Sequence, residues 1–353
     1  MKIKKLTAFL LSGAAISSVL LGGCGNKIDQ DAVAATIGEQ EISLGYLNFV
    51  ARYTQSSYDS FFVSYYGEDY WTNEDYADED GLNMQESVKE DVLTDVELDY
   101  LLEAHMDDYG VEIADEEMEA ITAAAEEFMS ENTEDALDAM GATQEYVEAY
   151  LYYETVYAKM EEAIGAEADG QLSIDDYARR TFSYIEIDTV GYTDDDGEYV
   201  EYTEDEVEAL LSNIELMAVL ASSDFDSTAE TYGYDVSTYS YGTDEASEED
   251  GGFCDAVITA ADAMTEGDVS EAIEGTDCYY IIRLDSEDDA DAQQDAYDEA
   301  LSELQSEIFT EVTEGYQEES DFEVDEDLWA QVQFTELFTI DNTEEETDTD
   351  VSE

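Results

Sequence analysis

No proline occurs among the 353 residues, so the chain lacks the residue that most often stops a helix or stiffens a linker. It also has no X-Pro bond of its own to isomerise slowly during folding. Basic residues are nearly as scarce: 10 Lys and Arg stand against 96 Asp and Glu, a formal charge of -86. A surface of that sign repels polyanions, which excludes nucleic-acid binding through phosphate contacts and adsorption to an anionic membrane by charge. The one histidine, His105, leaves no usual zinc set and reads as a solvated or capping residue on a helix. Acidic runs invite a calcium loop, but the EF-hand spacing wants an acid at its first position. Tyr192 stands there in "YTDDDG" and Tyr76 in "YADEDG", so these are polar turns, and no metal or cofactor is called for. Acidity this strong also fits a disordered chain. Against that, 44% hydrophobic and 12% aromatic residues, set at helical spacing, are enough for buried cores.

What is present begins with an anchor. Lys2, Lys4 and Lys5 precede an apolar run from Leu6 to Leu21, which ends in small residues before Cys24. The run is shorter than a membrane span needs and carries several polar and small residues. The order is that of a secretory leader, and Leu21-Gly22-Gly23-Cys24 resembles a bacterial lipobox. The resemblance implies a signal peptide over 1–23, lipidation of Cys24, and a mature protein on the extracytoplasmic face of the cell membrane. Two acyl chains then hold the membrane without help from charge. Cleavage elsewhere, or a spanning helix, are the alternatives.

After a linker over 24–33, Ala34 to Ile37 is expected as a short strand turning at Gly38, and Leu44 to Tyr66 as an aromatic-rich helix. Glu68 to Asn83 reads as a polar loop. From Gln85 a helix places Val88, Val92, Val96 and Leu101 on one face and ends near Gly110. Asp115 is placed to cap the next helix, whose Met118, Ile121, Ala125 and Phe128 step by three and four. Thr143 opens another, with a stripe of Tyr146, Tyr150, Tyr153, Tyr157, Met160 and Ile164. That stripe reads as a packed face, or alternatively as an aromatic surface for a bound chain.

The texture changes at Arg179 and Arg180, from long helices to short strands mixed with helices. Strands are expected over Thr181 to Thr189 and Cys278 to Leu284, and helices over Thr203 to Ser222 and Asp255 to Met264. The phrases "SDFDSTAETYGYD", "EDGGF" and "AVITAADAMTEGDVSEAIEGTDCYYIIRL" resemble, in order and spacing, the parvulin signature of peptidyl-prolyl cis-trans isomerases. Over roughly 180 to 285 the resemblance implies an acidic loop, a Gly-Gly turn, a small helix and a closing strand. Matched position by position, Phe253 and Val257 stand at the apolar cradle for a proline ring and Asp235 at the acidic position. Tyr184 and Tyr280 stand where parvulins commonly carry histidines. Tyrosine donates and accepts a hydrogen bond but stays neutral at working pH, so the substitution weakens the site by this reading. Cys254 and Cys278 form a bridge or remain two thiols; sequence leaves both open.

The flanks "VAATIGEQEISLGYLNFVARY" and "MQESVKEDVLTDVELDYLLEAHMDDYGVEIADEEM" resemble the N-terminal region of PrsA-type and SurA-type secreted foldases. That implies an α+β protein: a mostly helical, discontinuous chaperone lobe with an inserted parvulin-like α/β domain. The lobe is expected over 34–178 and 289–335, its last helix carrying Ala296, Ala300, Leu304, Ile308 and Val312 on one face, and the insert over 179–288. Residues 336–353 are assigned to an acidic tail, disordered from Asn342 onward. The partners implied are unfolded or newly secreted proteins and, through the lipid, the membrane. A holdase without catalysis and a solute-binding lipoprotein are the other readings.

Overall fold

The computed structural model describes residues 15–19, 28–78, 81–193, 197–242 and 253–341. Cys24, most of the segment expected to be a leader, and residues 342–353 lie outside the described residues. The chain forms two compact units, one from 1–167 with 305–353 and the other from 168–304, with an α+β architecture. No helix among the described residues is long and apolar enough to cross a membrane.

Unit 1 begins with β1 (Ala15–Val19), β2 (Val33–Ile37) and β3 (Gln40–Ser43), β2 and β3 pairing antiparallel across the turn at Gly38. Ser43 ends β3 and caps α1 (Leu44–Tyr66), its hydroxyl accepting the Tyr46 N–H at 3.1 Å. Next comes α2 (Met84–Ala104), opened by a reciprocal cap in which Asn83 and Glu86 each accept the other's backbone N–H. α3 (Asp115–Glu131), α4 (Glu134–Met140) and α5 (Gln144–Gly165) complete the first part. Asp115 is the first residue of α3 rather than its cap. The Ala114 N–H is instead taken by Glu117, which also pairs with Lys159.

Three expectations for this unit change. The loop after α1 is polar in composition, yet Tyr70 and Trp71 within it are buried, because the Asp59 carboxylate accepts both the tyrosine O–H and the indole N–H. On α2 the buried stripe runs Val88, Val92, Val96 and then Leu102, with Leu101 half-buried; Leu102 joins a second cluster with Val156, Met160, Ile164 and Phe309. On α5 the packed face is Val147, Leu151, Val156, Met160 and Ile164 with Tyr153. Tyr146, Tyr150 and Tyr157 stand half-buried along its edge. Their hydroxyls keep them at the rim, where polar groups still find partners.

Unit 2 contains β4 (Arg180–Asp188), the hairpin β5 (Gly191–Thr193) and β6 (Tyr199–Glu201), α6 (Glu204–Ala221), α7 (Phe225–Tyr232), β7 (Ser237–Tyr241), α8 (Asp255–Ala263), β8 (Ile273–Glu274) and β9 (Cys278–Ser286). Its main sheet has the order β7-β4-β9-β8, all antiparallel. Period-two alternation along β4 and β9 separates two cores. Ile185, Ile187 and Ile281 pack with α6 and α7 on one face. Phe182, Ile282 and Leu284 pack with α8 on the other. The unit reaches further along the chain than the 179–288 expected from texture. Its flanks are tied to each other by the Asp289 N–H on the Arg179 carbonyl at 2.9 Å and by the Gln293 amide on the Ile174 carbonyl at 2.8 Å.

α9 (Ala290–Glu318) leaves unit 2 and enters unit 1, where Phe309 and Thr313 are its buried residues. β10 (Glu323–Val324) then adds to β2. β11 (Leu337–Asp341) pairs antiparallel with β1. Two assignments meet there. Residues 336–341, given by composition to the acidic tail, hold buried Leu337 and Phe338 in the unit 1 core. The short apolar phrase Leu337 to Ile340 was masked by the acids around it. Its partner β1 falls within the apolar run read as a leader, since such a run also suits a strand.

Candidate functional site

The face of the unit 2 sheet under α8 gathers the positions matched to the proline cradle. Phe182 and Tyr184 lie two apart on β4, with Phe182 paired to Tyr239 of β7 and Tyr184 to Ile282 of β9. Tyr280 faces Glu186 in the same ladder. Alternation therefore turns Phe182, Tyr184, Tyr239 and Tyr280 to one side. Phe253, two residues before the start of α8, stands among them. Its ring centre is 4.7 Å from Tyr184, 4.7 Å from Tyr239, 5.1 Å from Tyr280 and 5.2 Å from Phe182, all edge to face. Tyr184 and Tyr280 are 6.2 Å apart. Edge-to-face packing on four sides fixes the Phe253 ring while leaving it half-buried.

Of the matched residues, Phe253, Tyr184 and Tyr280 are thus brought together. Val257 is one helical turn further along α8 and fully buried, so it supports the floor and presents no surface to a ligand. Asp235 is exposed in the connection from α7 to β7, two residues before the Ser237 that pairs with Tyr184. It makes no hydrogen bond to either tyrosine among the described residues.

The polar side of the cluster is neutral. Burial pushes the Tyr280 hydroxyl well above the usual tyrosine range, and the neighbouring Cys278 thiol adds to the shift. Burial also raises the Cys278 thiol, so it stays protonated and is no nucleophile. Cys254 and Cys278 are both free. Close packing here depends on Gly275: a Cβ at that position would fall 2.8 Å from the Tyr280 ring and 3.0 Å from the Cys278 sulfur. Arg180 fixes the far end of α8 by donating to the Ala261 and Met264 carbonyls at 3.1 and 3.0 Å. Tyr239 and Gly275 were missed by motif matching. The alternation of "STYSY" was the available signal for the first, and a glycine one turn before a closing strand for the second.

The opposite face of the same unit carries a cavity of about 660 Å³ between α6 and the segment before β9, lined by Leu211, Ile214, Val219, Val269 and Tyr279. Beside it Leu216, Val219 and Leu220 remain exposed at 50%, 66% and 43%, an apolar patch of the kind that binds other chains. His105 is absent from both sites. It ends α2, stacks on Tyr316 at 3.9 Å and meets Asp108 at 2.8 Å.

No protein-family model and no curated protein matches the chain. Among solved structures, the foldase PrsA of Streptococcus pneumoniae is 21% identical over 63% of this chain and 77% of its own, with a TM-score of 0.24. The peptidylprolyl isomerase PrsA of Bacillus cereus is 16% identical over 74% and 99%, at 0.30. A structure of the SurA-like chaperones of Campylobacter jejuni is 11% identical over 83% and 99%, at 0.27. Likeness of this degree leaves function to be read from the residues of the chain itself.

Proposed function

We propose that this protein is a lipid-anchored extracytoplasmic foldase that holds unfolded, newly secreted proteins and engages their proline segments through unit 2. One observation carries the reading: Phe253, matched to the parvulin cradle, and Tyr184 and Tyr280, matched to its two histidine positions, meet in a single half-open ring cluster. Rotation about an X-Pro bond must cross a barrier of about 20 kcal/mol, and lowering it requires no nucleophile and no metal. It requires a surface that holds the proline ring and donors that favour the twisted amide over the planar one. Phe253 supplies the surface. The Tyr184 and Tyr280 hydroxyls supply hydrogen-bond donors weaker than an imidazolium, so turnover is slow. The exposed α6 patch and the tyrosine rim of unit 1 supply apolar surface for holding.

Activity and holding are separable in the full chain. Aggregation suppression of an unfolded client, run beside a rotamase assay on a proline tetrapeptide, is expected to show clear suppression and only weak catalysis. Absence of suppression at an equimolar ratio would reject the foldase. Suppression with no catalysis above the uncatalysed rate would favour the holdase. A solute-binding lipoprotein would instead show neither and a tight small-molecule ligand.

The anchor rests on Cys24. Cys24→Ala is expected to release the protein from the membrane fraction or leave it as an unprocessed precursor. A variant still lipidated would remove the basis for the anchor.

A further inference from the structure

We propose that the cavity between α6 and the segment before β9 receives a proline-free, extended segment of a client, with alternate apolar residues inside it and flanking lysines or arginines on Glu215 and Glu271. The proposal rests on the holding role given above and names the class of segment held. At about 660 Å³ the cavity falls in the range of about 300–1,000 Å³ that encloses a drug-sized ligand, enough for a few side chains and too little for a folded partner. Its α6 wall is apolar and open. Leu211 and Val219, about two turns apart, both line it and are 37% and 66% exposed.

The opposite wall is an edge of the unit 2 sheet, where β8 is the last strand. Just before β8, Ser270 donates its N–H to the Ile282 carbonyl at 2.9 Å, and Leu284 donates to the Asp268 carbonyl at 3.0 Å. Val269, between those two bonds, is bridged to Arg283, and antiparallel geometry then turns its own N–H and C=O away from β9. Among the described residues neither Val269 nor Glu271 has a hydrogen-bond partner for its main chain. Such an edge accepts a further strand, whose side chains point alternately toward and away from the cavity. Proline cannot complete that strand, since it lacks the N–H. The two faces of unit 2 thus divide a client: proline segments go to the ring cluster around Phe253 and proline-free ones to this groove.

Charge selects the flanks of the added strand. The two serines of the lining are already engaged, Ser222 donating to the Val219 carbonyl and Ser270 accepting the Ile282 N–H. Glu215 and Glu271 remain, both exposed and neither paired with a lysine, arginine or histidine among the described residues. One comes from each wall, so both bear on a chain lying between them. The same charges disfavour the acidic stretches of this protein, such as "TDEASEED" over 243–250, and a second copy carrying -86. An apolar segment with basic flanks, on another protein, has the complementary charge.

The test uses the full chain and a proline-free peptide of alternating leucine and threonine with a lysine at each end, beside the same peptide ended by glutamates. At physiological salt the lysine-ended peptide is expected to bind about tenfold tighter. The preference should fall to near unity in Glu215→Gln combined with Glu271→Gln. Removing equal charge elsewhere, with Glu126→Gln and Glu127→Gln on α3, should leave it intact. Methylating alternate amide nitrogens of the lysine-ended peptide should weaken it about tenfold, and Leu211→Ser with Val219→Ser should weaken both peptides while the melting temperature holds. Equal binding of the two peptides, a preference that survives the Glu215 and Glu271 change or is lost in the α3 variant, or indifference to the methyl groups would each overturn the groove. So would a dimer in sedimentation that the serine variant disperses, which places a second copy there. Aggregation suppression without the lysine preference overturns the groove and leaves the foldase standing. Lysine preference without suppression does the reverse.

Discussion

Asp59→Ala is expected to destabilise unit 1 by about 3–5 kcal/mol, as loss of one member of a buried polar network does. The carboxylate stands at the centre of that network. One oxygen accepts the Trp71 indole N–H at 2.7 Å and the Tyr70 hydroxyl at 3.1 Å. The other accepts the Phe338 backbone N–H at 2.9 Å and the Gln55 amide at 3.0 Å. Alanine leaves these donors without acceptors and opens a void beside the Arg52 guanidinium. That guanidinium is itself 1% exposed and donates to Glu336 at 2.8 Å and to the Gln333 carbonyl at 3.0 Å. Denaturant unfolding of the full chain, followed by tryptophan fluorescence, measures the effect, since both the residue lost and Trp71 belong to unit 1. A change below about 1 kcal/mol would mean that water replaces the carboxylate and that the network is not sealed. Asp59→Asn, which keeps one acceptor but turns an amide toward two donors, should fall between.

The second large effect is a gain. Tyr184→His combined with Tyr280→His is expected to raise catalysed isomerisation of a proline tetrapeptide by about 10- to 100-fold, the low end of what a positioned acid-base group supplies. The two side chains flank Phe253 at 4.7 and 5.1 Å, so imidazoles there meet the same bound ring. Imidazole titrates near neutrality whereas the Tyr280 hydroxyl is held well above its usual range. Phe253→Ala serves as the control and should abolish the gain. A wild-type rate already at the level of the double variant would show that the tyrosines do not degrade the site. A double variant that stays inactive while its melting temperature is unchanged would show that donors are not what the cluster lacks.

The helices were legible because their apolar positions recur every three or four residues, and the ends of β4, α6, α8 and β9 fell within a few residues of expectation. The failures share a cause. Tyr70 and Trp71 sit in a stretch so polar that no periodicity appears, and their burial depends on one distant carboxylate. Leu337 and Phe338 were lost within an acidic tail for the same reason, since a strand of five residues offers too few alternations to stand out. Leu101 and Leu102 are neighbours, and choosing between them requires knowing which partner helix lies across the turn. For the site, motif matching found the two tyrosines and Phe253, while Tyr239 entered only through strand pairing.

The Arg52 guanidinium meets its carbonyl acceptor at Glu336 across 284 residues of sequence. A ribosome adding about 5–20 residues per second needs roughly 15–60 s to cover that distance. For all that time α1 exists without the strand that completes it, and Lys89 likewise waits for carbonyls 240 and 243 residues downstream. Unit 2 is whole once residue 304 has emerged, so it has the opportunity to fold first. Unit 1 is the last part of the chain to close, and a truncation that removes β11 should therefore disable α1, made about 270 residues earlier.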